Sequence, residues 1–130
     1  MNKYDRYALM ENDRITAPLL FSDIAAVTDI TGPIDGAEGI EPTVEAFFPT
    51  PFKESAHRLY ATQDAVDTYG GELLNYTRLQ NALIEGYPFL FHNGHGSHET
   101  LATAIDIGVV KAFQNQLPFV LLSCACLAGN

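Results

Sequence analysis

The chain has 130 residues and a formal net charge of −9, with 47% apolar and 18% charged residues. This length suffices for one domain with one hydrophobic core, and the composition is that of a globular protein rather than a disordered or coiled-coil one. The negative charge argues against nucleic acid or an anionic membrane as a partner, and no apolar run is long enough to cross a bilayer.

The first half of the chain predicts one clear strand followed by less regular elements. Residues 3–12 are predicted to be a short helix, and residues 18–22 (PLLFS) a buried strand. Residues 23–43 combine three glycines and two prolines with several acids, which predicts a long loop. Residues 43–48 are predicted to be a short helix, and residues 57–62 (HRLYAT) the next strand.

The second half alternates helices and strands more regularly. A helix capped by Thr77 is predicted to run to Gly86, followed by a strand over residues 88–92 (PFLFH). A second helix over residues 107–115 precedes a strand over residues 118–126 (PFVLLSCAC). Because the strands are apolar on both faces, the pattern predicts a parallel sheet with helices packed on both sides.

Two unusual segments lie at the ends of the last two predicted strands: HNGHGSHE at the end of the first of them, and CACLAGN closing the second. Ligands of parallel sheets bind beyond the carboxyl ends of the strands, so we expect the two segments to lie side by side. An imidazole near a thiol can take its proton and later protonate a leaving amine. His95, flanked by Gly94 and Gly96, and Cys126 therefore predict a Cys–His dyad, with backbone N–H groups of Gly96 and Cys126 as oxyanion donors.

Other interpretations of these residues stay open. A cysteine in an apolar strand is often an inert core residue, and this is the expectation for Cys124. His92, His95 and His98 recur at every third position and could bind zinc, since His is a common zinc ligand. A disulfide framework is excluded because the chain has two cysteines and a single residue separates them.

The segments Gly94-His95-Gly96-Ser97 and Ala125-Cys126-Leu127-Ala128-Gly129 resemble the His and Cys motifs of the gingipain-type cysteine peptidases. The resemblance is clear over residues 75–130 and diffuse before them. It implies a caspase-like three-layer α/β sandwich and a cysteine endopeptidase that acts through an acyl-enzyme on a protein or peptide substrate, without a cofactor. It also implies a secreted or cell-surface protein, although residues 1–14 lack the apolar core of a signal peptide.

The resemblance also assigns residues to roles. His95 matches the catalytic histidine, Cys126 the nucleophile and Gly96 an oxyanion donor. The acid that orients the histidine follows an early strand in the family, a place that Asp23 occupies here; a loop-capping aspartate is the alternative. His92 and His98 are expected to be dispensable.

Two further expectations concern specificity and extent. Glu41 and Glu45 are the candidates for an acid in a substrate pocket. Residues 1–130 are expected to be a partial gingipain-type domain, with the His motif at 92–99 and the Cys motif at 123–130, incomplete at the C-terminus and inactive by itself. The alternatives to a peptidase are a catalytically inactive relative that serves as a binding or processing module, and a zinc-binding domain.

Overall fold

The computed structural model describes residues 17–30, 32–97, 100–101, 105–106 and 119–125. Within these ranges, strands alternate with short helices along the chain. In chain order they are β1 (Pro18–Ser22), β2 (Ile24–Thr28), β3 (Gly32–Asp35), α1 (Ala37–Phe47), α2 (Thr50–Glu54), β4 (His57–Tyr60), α3 (Gln63–Tyr69), β5 (Glu72–Leu73), α4 (Tyr76–Glu85), β6 (Phe89–Gly94), β7 (Thr100–Leu101), β8 (Ile105–Asp106) and β9 (Val120–Ala125).

The described strands build one parallel sheet in the order β5-β4-β1-β6-β9. β1 lies at its centre, and all five of its residues are buried. Two antiparallel pairs accompany the sheet, β2 with β3 and β7 with β8. The predicted parallel pairing of the strands is therefore confirmed.

Side chains alternate between the two faces of the sheet, and a helix covers each face. Leu19 and Phe21 of β1 pack with α4 on one face, here called the α4 face. Leu20 packs with α1 and α3 on the opposite, α1 face. Helices on both sides of a parallel sheet confirm the predicted α/β layering.

The predicted loop over residues 23–43 is wrong. This stretch forms the β2–β3 hairpin and most of α1, which continues to Phe47 and so absorbs the helix predicted over residues 43–48. Ala37, Ile40 and Val44 recur at helical spacing and are buried against the sheet. Their burial outweighs the free-energy cost of Pro42 inside the helix. The many glycines and prolines of this stretch obscured the helical spacing of its apolar residues.

Two element ends differ from the prediction because of side-chain caps. Asn75, not Thr77, caps α4, and its side-chain oxygen accepts a hydrogen bond of 2.9 Å from the Arg78 N–H. The strand predicted to end at residue 62 ends at Tyr60, because Thr62 caps α3 through Ala65 N at 3.2 Å. The predicted end of α4 at Gly86, with φ of +87°, is confirmed.

Some predicted elements lie outside the described residues, namely the helices over 3–12 and 107–115. The strands predicted over 88–92 and 118–126 are confirmed as β6 and β9, with β6 extending to Gly94. Cys126 follows β9 and lies outside the described residues. Among the helices that the structure describes, none is long and apolar enough to span a membrane.

Candidate active site

The candidate site lies at the carboxyl ends of β1, β6 and β9. From β1 the chain passes to β4 on one side of it and later returns to β6 on the other. Such a reversal of strand order opens a crevice between the carboxyl ends of β1 and β6, where parallel sheets bind ligands. Asp23 follows β1 and His95 follows β6, so both residues border this crevice.

β6 and β9 are adjacent parallel strands, as predicted. Their register runs from Phe89↔Val120 to Gly94↔Ala125. His95 is the next residue after Gly94, and Cys126 is the next after Ala125. The two candidate catalytic residues therefore each follow one partner of the same register pair, although Cys126 itself is not described.

His95 is an exposed residue between two glycines that have different surroundings. Gly94 has φ of +156°, and a Cβ atom on it would lie 2.7 Å from the Cβ atom of Asp23. Only glycine allows β1 and β6 to approach this closely at their ends. After Gly96, Ser97 N–H donates to the Thr100 carbonyl at 2.8 Å.

Asp23 is buried beside Gly94, with 5% of its surface exposed. Its backbone N–H donates to the Asn93 carbonyl at 3.1 Å, and its Oδ1 atom accepts from Ile24 N–H at 2.8 Å. The second bond is the local contact that a loop-capping aspartate makes. Asp23 therefore lies beside Gly94, the residue that precedes His95.

His92 is integral to the sheet. Its ring is 2% exposed and stacks on Phe21 with a centroid distance of 4.9 Å, and its Nδ1 atom lies 2.9 Å from the Ser123 hydroxyl oxygen. Burial lowers the pKa of His92 to about 4, an effect that the nearby Asp23 charge partly opposes. The expectation that His92 is dispensable for catalysis stays a prediction. Its burial is consistent with the alternation of strand β6, in which Leu90 is buried two residues earlier.

Cys124 is exposed, so its prediction as a core residue is wrong. β9 lies at an edge of the described sheet, and its apolar run is buried less than a central strand would be. Val120 and Leu122 are 53% and 55% exposed. Cys124 borders an open groove of about 380 Å³ between β9 and α1, which Asn93 and Val44 also line.

Asn93 and two glycines join the start of α1 to the end of β6. The Asn93 side-chain amide donates to the Gly36 carbonyl at 2.8 Å. A Cβ atom on Gly36 would overlap the Asn93 backbone carbonyl, and one on Gly39 would lie 2.5 Å from the Asn93 side-chain nitrogen. This close packing fixes the backbone two residues before His95.

Asp35 was not singled out by the sequence analysis, yet its side chain links the end of β1, the start of α1 and the N-cap of α3. Its buried carboxylate accepts hydrogen bonds from the Ser22 hydroxyl at the end of β1, from Ala37 N–H at 2.9 Å and from Thr62 N–H at 2.8 Å. A buried carboxylate requires such donors, because an unpaired one would be strongly destabilising. Asp35 is thereby a structural residue that holds the carboxyl ends of β1 and β4.

The two candidate pocket acids are already paired. Glu41 accepts hydrogen bonds from Arg58 Nε at 2.7 Å and from the Tyr60 hydroxyl, with both side chains of the ion pair largely buried. Glu45 is exposed and lies 3.0 Å from the Lys53 Nζ atom. Both carboxylates thus serve contacts within the domain, and neither stands out as a binding group for a cationic substrate side chain.

No group of three His, Cys, Asp or Glu side chains that could hold a metal occurs within the described ranges. The zinc alternative also names His98, which lies outside them. Of its other two members, His92 is buried within β6 and His95 is exposed beyond its end.

No protein-family model, no curated protein and no solved structure matches this chain. Function is therefore inferred from the chain's own residues and geometry.

Proposed function

We propose that the protein is a cysteine endopeptidase of the gingipain type, with Cys126 as nucleophile and His95 as base. The observation that carries this proposal is the Gly94↔Ala125 register pair at the ends of two adjacent parallel strands. Successive Cα atoms are about 3.8 Å apart and neighbouring strands about 4.8 Å apart, which limits the Cα separation of His95 and Cys126 to about 12 Å. The two side chains can meet at Cα separations shorter than this upper limit, when they turn toward each other.

The chemistry follows from the two side chains. His95 takes the thiol proton, and the Cys126 thiolate attacks the scissile carbonyl carbon to form a tetrahedral oxyanion. N–H groups of Gly96 and Cys126 are proposed to stabilise that oxyanion. The His95 imidazolium then protonates the leaving amine as the C–N bond breaks, and water hydrolyses the resulting thioester to release the acid and regenerate the thiol.

The site also departs from the gingipain pattern. His98 stands between Ser97 and Glu99, where the family motif places the glutamate directly after the serine, and the chain contains no tryptophan for a substrate pocket. A caspase-like fold is the arrangement that this proposal implies, and the parallel sheet with helices on both faces is consistent with it. The proposal therefore extends to the reaction and not to the residue preferred at the scissile bond.

The test compares Cys126→Ala with Cys124→Ala in the full product of the gene that encodes this chain. Cys126→Ala should lower the hydrolysis of fluorescent casein at least about 10³-fold, since a nucleophile that acts as part of a unit carries most of the rate. Cys124→Ala should retain activity and stability, because its side chain is exposed. Casein hydrolysis that survives in Cys126→Ala would refute the assignment.

A mechanism-based acyloxymethyl ketone separates a peptidase from the alternatives. This reagent should label Cys126 and leave Cys124 unlabelled, whereas simple alkylation is less discriminating because the Cys124 thiol is itself exposed. A folded wild-type protein that neither cleaves casein nor reacts with the reagent would be an inactive relative. Stoichiometric zinc in the purified protein, lost on substitution of His95, would favour the metal site.

A further inference from the structure

His92 and Ser123 form a hydrogen bond directly across the β6–β9 pair. They are register partners, and the His92 Nδ1 atom lies 2.9 Å from the Ser123 hydroxyl oxygen. Among the described residues, this is the side-chain hydrogen bond that joins the two strands. On its other side the His92 ring stacks on Phe21, so the contact extends across β1, β6 and β9.

Sheet stability does not explain a histidine at this position. The His92 Nε2 atom is buried and has no hydrogen-bond partner among the residues that the structure describes. A buried polar atom without a partner destabilises a fold, whereas an apolar side chain stacked on Phe21 would bury its surface without that penalty. The hydrogen bond to Ser123 is the contact that an apolar residue could not make.

We propose that His92 and Ser123 are positioning residues, whose hydrogen bond holds the ends of β6 and β9 in the register that aligns His95 with Cys126. The inference rests on the proposed peptidase function. His92 precedes His95 by three residues, as Ser123 precedes Cys126, so the bond joins the two strands at the same distance along the chain from both candidate residues. Catalytic groups must be held to within about 0.5 Å, and a bond between the two supporting strands supplies that restraint.

The test uses Ser123, because this residue is exposed and its substitution should leave the fold intact. Ser123→Ala in the full gene product should lower kcat about 5- to 10-fold, the size expected for one neutral hydrogen bond, while KM changes less than about twofold. The acid limb of the kcat/KM profile should move to higher pH, since a poorly aligned imidazole stabilises the thiolate less. Ser123→Thr keeps the hydroxyl and should retain near-normal kcat.

Leu121→Ala is the matched control, because Leu121 lies two residues earlier on the same strand and is 37% exposed. It should lower the melting temperature without moving the pH profile. If Ser123→Ala matches wild type in kcat and pH profile while Cys126→Ala is inactive, the positioning role is wrong and the peptidase stands. If Ser123→Ala and Leu121→Ala lower kcat equally and neither moves the pH profile, the hydrogen bond between His92 and Ser123 is only a structural contact. An active Cys126→Ala would overturn the peptidase function and this inference with it.

Discussion

Gly94 and Ala125 are paired at the last described step of the β6–β9 ladder. His95 follows Gly94 along the chain, and Cys126 follows Ala125. Side chains in a strand alternate between faces, so a register shift of one residue would separate the two groups that the proposed reaction needs. The functional hypothesis consequently depends on the register of two strands as much as on the identity of two residues.

Alanine substitution of each histidine in the His motif should distinguish their roles. His95→Ala should lower peptidase activity at least about 10³-fold, because the thiol loses its base, and His98→Ala should have little effect. His92→Ala should lower stability, since the ring is buried and stacked on Phe21, and should lower kcat about 5- to 10-fold because the bond to Ser123 is lost. Casein hydrolysis and urea unfolding measure the two properties. Equal activity losses at all three positions would instead favour the zinc site.

Asp23→Asn tests whether this carboxylate orients His95. Asparagine can still accept the hydrogen bond from Ile24 N–H, so the fold should be retained. The rate should fall at least about tenfold, because a neutral amide stabilises the imidazolium less well. The measurement is kcat at several pH values together with the melting temperature. An unchanged kcat in a folded Asp23→Asn protein would leave Asp23 with a capping role alone.

The buried His92 predicts a loss of stability in acid. Its pKa falls from 6.5 to about 4 on folding, because burial disfavours the charged ring more than Asp23 favours it. Between these two pH values the unfolded chain holds a proton that the folded protein does not. The free energy of unfolding should therefore be highest above pH 6.5 and decrease toward pH 4, by up to about 3 kcal/mol from this group.

Urea unfolding at pH 7 and pH 4.5 measures this loss, and His92→Gln should show a smaller one. NMR titration of the His92 ring provides an independent measurement that needs no variant. A His92 ring that titrates in the folded protein near the ordinary value of 6.5 would contradict the assigned effect of burial.

The packing of α1 against β6 predicts different effects for two neighbouring glycines. In Gly36→Ala the new Cβ atom meets the Asn93 backbone carbonyl, which cannot move away, so the free energy of unfolding should fall by about 1–3 kcal/mol or more. In Gly39→Ala the Cβ atom meets the mobile end of the Asn93 side chain, and alanine favours the helix. Gly39→Ala should therefore be tolerated better. Equal destabilisation of both variants by thermal unfolding would contradict this account.

The sequence by itself determined the fold class and the strands that position the candidate site. PLLFS and the apolar residues before HNGHGSHE and CACLAGN have the composition of strands buried in a parallel sheet, and the structure confirms β1, β6 and β9 there. The single predicted helix between the last two strands also indicated that they are neighbours. These features follow from local composition and chain connectivity, which a sequence displays directly.

Tertiary structure decided the features that depend on what packs against what. α1 forms despite Pro42 because Ile40 and Val44 are buried against the sheet, a contact that local propensity does not reveal. Cys124 is exposed because its strand lies at the edge of the described sheet, although its neighbours are as apolar as those of a core strand. His92 is buried and bonded to Ser123 because their strands pair in one register; such partners are distant in sequence and become neighbours only in the folded chain.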